Sequence, residues 1–204
     1  MQNKILKIVI VGLPNVGKTT FLNTLTGANL KTANFAGSTI GKHELAFLHK
    51  KNTFIFIDLP GFNSVNNIEN DLSKEAVEFL KKGNYDLILH IVNSEFSYFS
   101  KLLGEELSPI TSKVLTLINF PSLKYKPQDV AKNFLNPILF SAKSKQNCLK
   151  IADLILATME GSNIKSLNLL SKEVKYDVSK ISNIIDKIAL SKIFGIPVFF
   201  GIMF

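Results

Sequence analysis

The segment Gly12-Leu-Pro-Asn-Val-Gly17-Lys18-Thr19 limits the folds open to this chain more than any other feature. It fits the pattern G-x-x-x-x-G-K-[ST] in full, and it stands between an apolar, β-branched run, Lys4–Val11, and a helical pattern that starts at Lys18. In that setting the glycines allow backbone amides to wrap around phosphate oxygens, and the start of the helix adds a favourable field. The segment therefore predicts a phosphate-binding loop, because a chance glycine turn seldom completes the motif in this context.

Strand and helix patterns alternate over residues 1–160. The strand candidates are 4–11, 43–48, 52–59, 86–92, 113–118 and 137–140, and the helical patterns lie at 18–25, 72–80, 96–107, 129–134 and 148–159. Such alternation predicts a doubly wound α/β sheet, mostly parallel, with helices on both faces. In the second helix, the spacing places Leu72, Ala76, Phe79 and Leu80 on one apolar face.

Composition limits the classes of partner and compartment. The 204 residues carry a net charge of +8, all 24 cations are lysine, and no run of five or more like charges occurs. Scattered lysines favour a solvated surface, so we expect no nucleic-acid partner. The single cysteine, Cys148, excludes a disulfide framework and indicates an intracellular chain.

The last part of the chain differs from the α/β region. Residues 161–190 show a polar-rich helical pattern, and residues 193–204 carry no charge at all. This stretch is shorter than the roughly 20 residues of a bilayer span. Lys180, Lys187 and Lys192 nevertheless suit the cytoplasmic flank of a membrane helix. We expect a reduced helical extension at 161–190 and the start of a membrane segment at 191–204.

Further motifs stand where a nucleotide site needs them. Asp58-Leu-Pro-Gly61 ends a strand, so its carboxylate can join a Mg²⁺ shell and the Gly61 amide can approach a γ-phosphate. Lys18 would reach the β- and γ-phosphates, and the Thr19 hydroxyl would bind Mg²⁺. Thr39 lies between the first helix and the next strand, as a switch threonine does.

The base-recognition motif departs from the guanine pattern. Guanine-selective proteins place Asn-Lys-x-Asp after a strand, whereas this chain has Asn119-Phe-Pro-Ser122, with serine in place of the aspartate. Ser141-Ala142-Lys143 matches the loop that supports the base. Loss of a hydrogen bond to a charged partner costs about 1.5–3 kcal/mol. We therefore expect nucleotide binding with a guanine preference lowered roughly ten- to a hundredfold.

These motifs resemble those of the small GTPases, and specifically of the cytoplasmic GTPase domain of the ferrous iron transport protein B (FeoB) family. The segment 12–27 is similar to that family's Gly-Asn-Pro-Asn-x-Gly-Lys-Thr-Thr-Leu-Phe-Asn-x-Leu-Thr-Gly, and Asn34-Phe-Ala-Gly-Ser-Thr39 is similar to its Asn-Trp-Pro-Gly-Val-Thr switch. Asp58-Leu-Pro-Gly61 matches directly, and residues 185–200 resemble the start of its first membrane helix. The resemblance implies a Ras-like P-loop GTPase fold over 1–160, at the front of a longer transporter.

Three departures from the family pattern indicate a reduced or truncated member. Ser122 replaces the base-binding aspartate, and Val92-Asn93-Ser94 stands where the family has Val-Asp-Ala. The helical region after the nucleotide fold is also shorter than in the family.

The resemblance assigns a nucleotide-binding role to the residues at the motif positions, including Ser122, which stands in place of the aspartate. These residues are Gly12, Asn15, Val16, Gly17, Lys18, Thr19, Thr20, Asp58, Gly61, Asn119, Ser122, Ser141, Ala142 and Lys143. Lys18, Asn15, Thr39 and Gly61 would serve catalysis.

The resemblance also implies cofactors and a rate. Thr19, Thr39 and Asp58 would hold Mg²⁺, and Asn15 would hold a K⁺ ion that stimulates GTP hydrolysis. Phe62 stands where Ras-like enzymes place a water-orienting glutamine, and the chain has no arginine finger. Slow turnover of GTP to GDP is therefore expected.

The resemblance implies a GTP-hydrolysing domain that regulates ferrous iron transport at the cytoplasmic face of the bacterial inner membrane. Its partners would be a membrane transporter portion or another membrane subunit, and a second copy of the chain. Two alternatives stay open. The positive charge would suit a soluble ribosome- or RNA-associated GTPase, and Phe62, Asn93 and Ser122 would suit a non-hydrolysing nucleotide-binding module with relaxed base specificity.

Several residues of reactive or aromatic type are expected to be structural. The histidines lack metal-ligand spacing, so they are expected to be structural histidines with satisfied hydrogen bonds. The aromatic residues lack the flanking cations of a base-stacking platform, so core or partner packing is expected of them. Cys148 is expected in the core. The other residues in this group are His43, His49, His90, Phe96, Tyr98 and Phe99.

Overall fold

The computed structural model describes residues 3–27, 43–67, 70–93, 97–111, 113–120 and 127–161. The predicted positions of Thr39, Phe96 and Ser122, and nearly all of the expected extension and membrane segment at 161–204, lie outside the described residues. Among the helices in the described ranges, none combines the length and the hydropathy that crossing a bilayer requires.

Six strands form one sheet in the described part of the chain. The strands are β1 (Ile5–Val11), β2 (His43–His49), β3 (Asn52–Asp58), β4 (Leu87–Asn93), β5 (Val114–Asn119) and β6 (Ile138–Phe140). The helices are α1 (Lys18–Thr26), α2 (Asp71–Lys82), α3 (Ser97–Leu107), α4 (Pro127–Ala131) and α5 (Lys145–Met159). The strand order is β2-β3-β1-β4-β5-β6, and every pair is parallel except β2 with β3. This confirms the predicted α/β fold with a mostly parallel sheet.

The central strands are apolar because helices cover both faces of the sheet. All seven residues of β4 are buried, which is typical of a parallel strand covered on two sides. Ile8 pairs with Phe56 on one side and with Leu87 on the other, so these three side chains share a face. His90, three residues after Leu87, projects to the opposite face. The α1 side chain Phe21 packs edge-on against Phe56, whereas Gly104 of α3 lies against His90.

Helix α2 packs inward with most, but not all, of the face that the spacing predicts. Its buried residues are Ser73, Ala76, Val77 and Leu80, while Leu72 is 46% exposed. Of the predicted face, Ala76 and Leu80 are buried and Phe79 packs against the core, so the prediction is wrong only for Leu72. Asn70 fixes the start, since its side chain accepts a hydrogen bond from the Ser73 amide.

The aromatic residues of α3 are not core residues where the structure describes them. Tyr98 and Phe99 are 67% and 57% exposed, although their rings contact each other edge-on. Of the two roles expected for them, core packing is excluded. Cys148, by contrast, is fully buried near the start of α5, as expected, and burial raises the pKa of its thiol to about 12.

The β2–β3 hairpin is attached to α5 by a cluster of charged side chains. Lys50 and Lys51 form its turn with φ of 47° and 66°, as a tight two-residue turn demands. His49 Nε2 and Lys50 Nζ lie 2.6 Å and 2.8 Å from Asp153 Oδ1. Burial alone would raise the pKa of Asp153, but the hydrogen bonds and charges of Lys50 and His49 outweigh it and leave the pKa below its usual range.

Candidate functional site

The predicted site residues gather at one edge of the sheet. Gly12 follows the last residue of β1, Asp58 and Asn119 are the last residues of β3 and β5, and Ser141 follows the last residue of β6. Because these strands are parallel, their carboxyl ends lie at the same edge, which is where ligands bind in open α/β sheets.

Lys18 is the best-defined group of the phosphate loop (residues 12–19). It is only 8% exposed, and its Nζ donates to the carbonyl oxygens of Gly12 at 3.1 Å and Leu13 at 3.0 Å. Burial lowers the pKa of this ammonium, and the carboxylate charge of Asp58 opposes that shift. A cation held by two neutral carbonyls can exchange them for charged oxygens with a gain in electrostatic energy.

The backbone of the phosphate loop takes two left-handed conformations. Asn15 has φ of 62°, and Gly17, which caps the start of α1, has φ of 106°. A side chain on Gly17 would also collide with Nδ2 of Asn119. Asn15 tolerates this region better than most residues do, because its short polar side chain can bond locally. The Asn15 side chain is exposed, while Val16 is buried beneath the loop.

Thr19 and Asp58 provide oxygen atoms suited to a magnesium ion. Thr19 is exposed at the first turn of α1, directly after Lys18, and the exposed Thr20 follows it. Asp58 ends β3 beside β1, where its charge acts on Lys18. Hydroxyl and carboxylate oxygens are hard ligands of the kind that Mg²⁺ prefers, so these residues fit the ion.

Gly61 lies directly against the phosphate loop. A Cβ placed on it would stand 2.8 Å from Pro14 N and 3.0 Å from Lys18 Nζ. Any side chain at this position would therefore push the two loops apart. The neighbouring Phe62 is 3% exposed and belongs to the hydrophobic core.

Asn119 connects three parts of the site. Its Nδ2 donates to the Val16 carbonyl at 3.0 Å, and its Oδ1 accepts from the Ala142 amide at 3.0 Å. It thus holds the phosphate loop, the end of β5 and the Ser141-Ala142-Lys143 loop together. Its amide nitrogen carries a second N–H, which these two hydrogen bonds do not use. Ala142 is buried and Lys143 is exposed.

Phe120 occupies the position that holds lysine in the guanine pattern. It is buried in a small apolar cluster with Val92, Ile118 and Val130. This side chain is therefore part of the core, and the base side of the site depends on Asn119 and the 141–143 loop among the described residues. The motif comparison noted Ser122 but missed this substitution.

Comparison with known proteins gives a consistent family. A family model described as ferrous iron transport protein B matches residues 6–130. The Fe(2+) transporter FeoB of Helicobacter pylori is 32% identical over 98% of this chain, and that of Campylobacter jejuni is 28% identical over 98%. The chain covers 36% and 37% of these proteins, so it spans about a third of the length of the curated relatives it matches.

Solved structures agree with the sequence comparison. The G domain of the T. maritima FeoB iron transporter aligns with a TM-score of 0.60 and 28% identity over 74% of this chain and 97% of that one. The FeoB G-domain from Methanococcus jannaschii aligns with a TM-score of 0.62 over 77% and 99% of the two chains. At 22% identity, this second likeness supports the fold.

Proposed function

Because this chain belongs to the ferrous iron transport protein B family, we propose that it binds and hydrolyses GTP and regulates ferrous iron transport from the cytoplasmic face of a bacterial inner membrane. The observation that carries the proposal is the buried Lys18 ammonium, held by carbonyls of a complete phosphate loop at the carboxyl edge of the sheet. A polyphosphate is the ligand that such a loop can bind through both its lysine and its amides.

Each described group has a part in phosphate binding. Lys18 would exchange the carbonyls of Gly12 and Leu13 for phosphate oxygens, and the loop amides and the start of α1 would hold the remaining oxygens. Thr19 and Asp58, with Thr39, would hold Mg²⁺, which when bound neutralises charge on the phosphates. The Gly61 amide would meet the terminal phosphate.

Hydrolysis is proposed to be slow and to be stimulated by K⁺. Phe62 is a core residue, so its position contributes no group that orients water. The chain has no arginine to stabilise charge on the transferring phosphoryl group. The exposed Asn15 is the side chain proposed to hold K⁺.

Guanine selectivity is proposed to be moderate. Asn119 and the amide of Ala142 are proposed to form the base side of the site, together with Lys143, which directly follows Ala142 in the sequence. Ser122 and the buried Phe120 replace the charged side chains of the guanine pattern. A nucleotide-binding module without hydrolysis is the second candidate, because the burial of Phe62 supports it.

The relatives suggest the partners. The chain matches about a third of proteins described as Fe(2+) transporters. We propose that it acts on a membrane transporter portion or another membrane subunit, and that it can form a homo-oligomer. We do not propose the alternative of an RNA-associated GTPase, because these relatives are described as Fe(2+) transporters.

Calorimetry with GDP and ADP, on wild type and Lys18→Ala, tests the site. Wild type is expected to bind GDP more tightly than ADP. Lys18→Ala is expected to weaken GDP binding at least about ten- to a hundredfold, because a charge-assisted contact is lost. Lys113→Ala removes an exposed lysine at the opposite end of the sheet and should bind like wild type. Unchanged binding in Lys18→Ala would contradict the assignment of the phosphate loop.

Single-turnover hydrolysis of GTP on the same preparations separates the two candidates. Turnover in K⁺ that exceeds turnover in Na⁺ is expected, and Asn15→Ala should remove the difference. Equal rates in both salts would exclude the role proposed for Asn15, and no turnover in either would favour the non-hydrolysing module.

A further inference from the structure

Lysines that are scattered along the sequence come together at one edge of the folded sheet. The parallel strands begin at the edge opposite the candidate nucleotide site (the amino edge). Four exposed lysines stand where these strands start: Lys4 before β1, Lys50 and Lys51 before β3, and Lys113 before β5. The fold therefore builds a row of cations from residues that form no charge run in the sequence.

The strand order fixes the order of these lysines along the amino edge. Strands β3, β1, β4 and β5 are neighbours in that order, so Lys4 lies between the hairpin turn and the start of β4. The last turn of α2, separated from β4 by four residues, adds the exposed Lys81 and Lys82. Neighbouring strands are about 4.8 Å apart, so the row from β3 to β5 is about 15 Å long. Since salt screens charges over about 8–10 Å, neighbouring lysines attract an anionic surface together.

Hydrogen bonds of the backbone hold the row in place, while the lysine side chains stay exposed. Asn52 Oδ1 accepts from the Lys4 amide at 3.2 Å, and Asn52 Nδ2 donates to the Lys50 carbonyl at 3.1 Å. The Lys113 carbonyl accepts from the Ile88 amide at 2.9 Å. A ligand therefore has to order only side chains, which lowers the entropic cost of binding.

Few carboxylates oppose the lysines at this edge in the described part of the chain. Asp153 already pairs with Lys50, Asp86 accepts from the Lys7 amide at 2.7 Å, and Glu160 follows α5. These three carboxylates stand against seven lysines when Lys7, the exposed third residue of β1, is included. The amino edge therefore has a net positive charge.

Two exposed apolar side chains lie beside the lysines. Ile5 is 65% exposed and Leu48 is 72% exposed. Both residues pair with Thr53, one from each side, so their side chains project from the same face of the sheet. Lys4 directly precedes Ile5, and Lys50 follows Leu48 by two residues. A surface of this composition can bind a membrane interface both through charge and through apolar burial.

We propose that the amino edge docks on an anionic phospholipid bilayer, with its lysines among the headgroup phosphates and Ile5 and Leu48 at the boundary with the acyl chains. The inference rests on the proposed location at a membrane, but not on nucleotide binding. The second half of α5 lies at the same edge, because Asp153 contacts the hairpin turn, so the described chain leaves the domain on this side. The candidate nucleotide site, at the opposite edge, stays open to solvent.

Nucleic acid is the other polyanion that a row of lysines attracts. The chain has no arginine, whose planar fork suits phosphates and base edges. Exposed aliphatic side chains add nothing to contact with a phosphate backbone, whereas at a bilayer they gain burial. The exposed Ile5 and Leu48 therefore favour lipid over RNA.

Co-sedimentation of the full chain with vesicles of phosphatidylcholine, with and without phosphatidylglycerol, tests the proposal. Wild type should bind the vesicles that contain phosphatidylglycerol more tightly. Lys4→Gln/Lys51→Gln should weaken this binding about thirtyfold, or about fivefold for each lysine. Lys74→Gln/Lys101→Gln is the matched control, because it removes the same charge from exposed positions on α2 and α3 away from the amino edge. Its loss should stay below about threefold.

Leu48→Ser measures the apolar contribution and separates lipid from RNA. It should weaken vesicle binding about threefold and leave the affinity for a double-stranded RNA unchanged. Vesicle binding that is unchanged in Lys4→Gln/Lys51→Gln or in Leu48→Ser would overturn the proposal, as would an equal loss in the two double variants. Tighter binding of wild type to the RNA than to vesicles would assign the edge to nucleic acid and overturn it too. GDP affinity should be the same in all these variants, so failure here leaves the nucleotide site to its own test.

Discussion

Phe62 shows how the chemistry of a single position depends on where its side chain lies. It directly follows Gly61, at the position where Ras-like enzymes place a glutamine, but it is 3% exposed and packed in the core. A side chain that contributes to the core cannot at the same time orient water. Phe62 is apolar and buried, so this residue stabilises the fold and does not take part in catalysis.

Phe62→Gln is therefore expected to lower stability and not to accelerate hydrolysis. The loss of apolar burial together with a buried amide should reduce the free energy of unfolding by about 2–4 kcal/mol. Urea unfolding and single-turnover hydrolysis measure the two effects, and Phe62→Leu controls for volume. An increase in turnover of tenfold or more in Phe62→Gln would show that this side chain reaches the reacting water.

At the scale of elements, α3 and β4 contact each other around buried polar groups that lack hydrogen-bond partners among the described residues. Both ring nitrogens of His90 and the hydroxyl of Ser100 are buried without a hydrogen-bond partner in the described part of the chain. The expectation of satisfied hydrogen bonds is therefore wrong for His90. Burial lowers the pKa of His90 to about 4. Phe134 approaches the His90 ring edge-on, so the surroundings are apolar. This pair of elements is therefore sensitive to acid.

The free energy of unfolding should fall as the pH is lowered through the region between the two pKa values of His90. The ordinary value is 6.5 and the folded value about 4, so in this window the unfolded chain binds a proton that the folded chain does not. Because of His90, the free energy of unfolding should fall by about 2 kcal/mol between about pH 7 and about pH 5. Urea unfolding of wild type and His90→Leu measures it.

In His90→Leu, the part of the pH dependence that comes from His90 should be absent. At neutral pH this variant should be no less stable than wild type, because the buried nitrogens without hydrogen bonds are gone. The pair of His49 with Asp153 stays in both proteins, so its own pH dependence cancels in the comparison. Parallel pH profiles for the two proteins would show that His90 is not the acid-sensitive group.

The sequence predicts the strands and the phosphate loop well because both are local patterns. Runs of β-branched residues mark β1 and β4 within one residue, and the loop works through its backbone. Which side of α2 packs inward depends on contacts with residues that are distant in sequence. The hydrophobic pattern therefore placed Leu72 wrongly on the buried face. The bonds of Asn119 to Val16 and of Glu106 to Val65 join residues 103 and 41 positions apart, so only the folded chain reveals them.

For the molecule as a whole, the candidate site joins parts of the chain that are distant in sequence. The phosphate loop, Asp58, Asn119 and the 141–143 loop lie at the carboxyl ends of four different strands of one sheet. A ligand that contacts all of them would resist separation of the strand ends. Binding should therefore raise the stability of the whole domain.

GDP with Mg²⁺ is expected to raise the midpoint of thermal unfolding. At a ligand concentration about 100 times the dissociation constant the gain is about 2.7 kcal/mol, which corresponds to roughly 5–10 °C for a domain of this size. ADP at the same concentration should give a smaller shift. In Lys18→Ala, a ten- to hundredfold loss of affinity should reduce the gain with GDP to about 0.4–1.4 kcal/mol. Equal shifts for GDP and ADP in wild type would mean that the base side does not discriminate.

Because Cys148 is buried, the reactivity of its thiol reports transient opening of the folded chain. It is the single thiol in the sequence, it is fully buried, and its raised pKa keeps it protonated near neutral pH. An alkylating reagent reacts with the thiolate, so modification has to wait until α5 separates from the sheet. The rate of labelling at this one sulfur therefore measures how often α5 opens transiently from the sheet, and no probe has to be introduced.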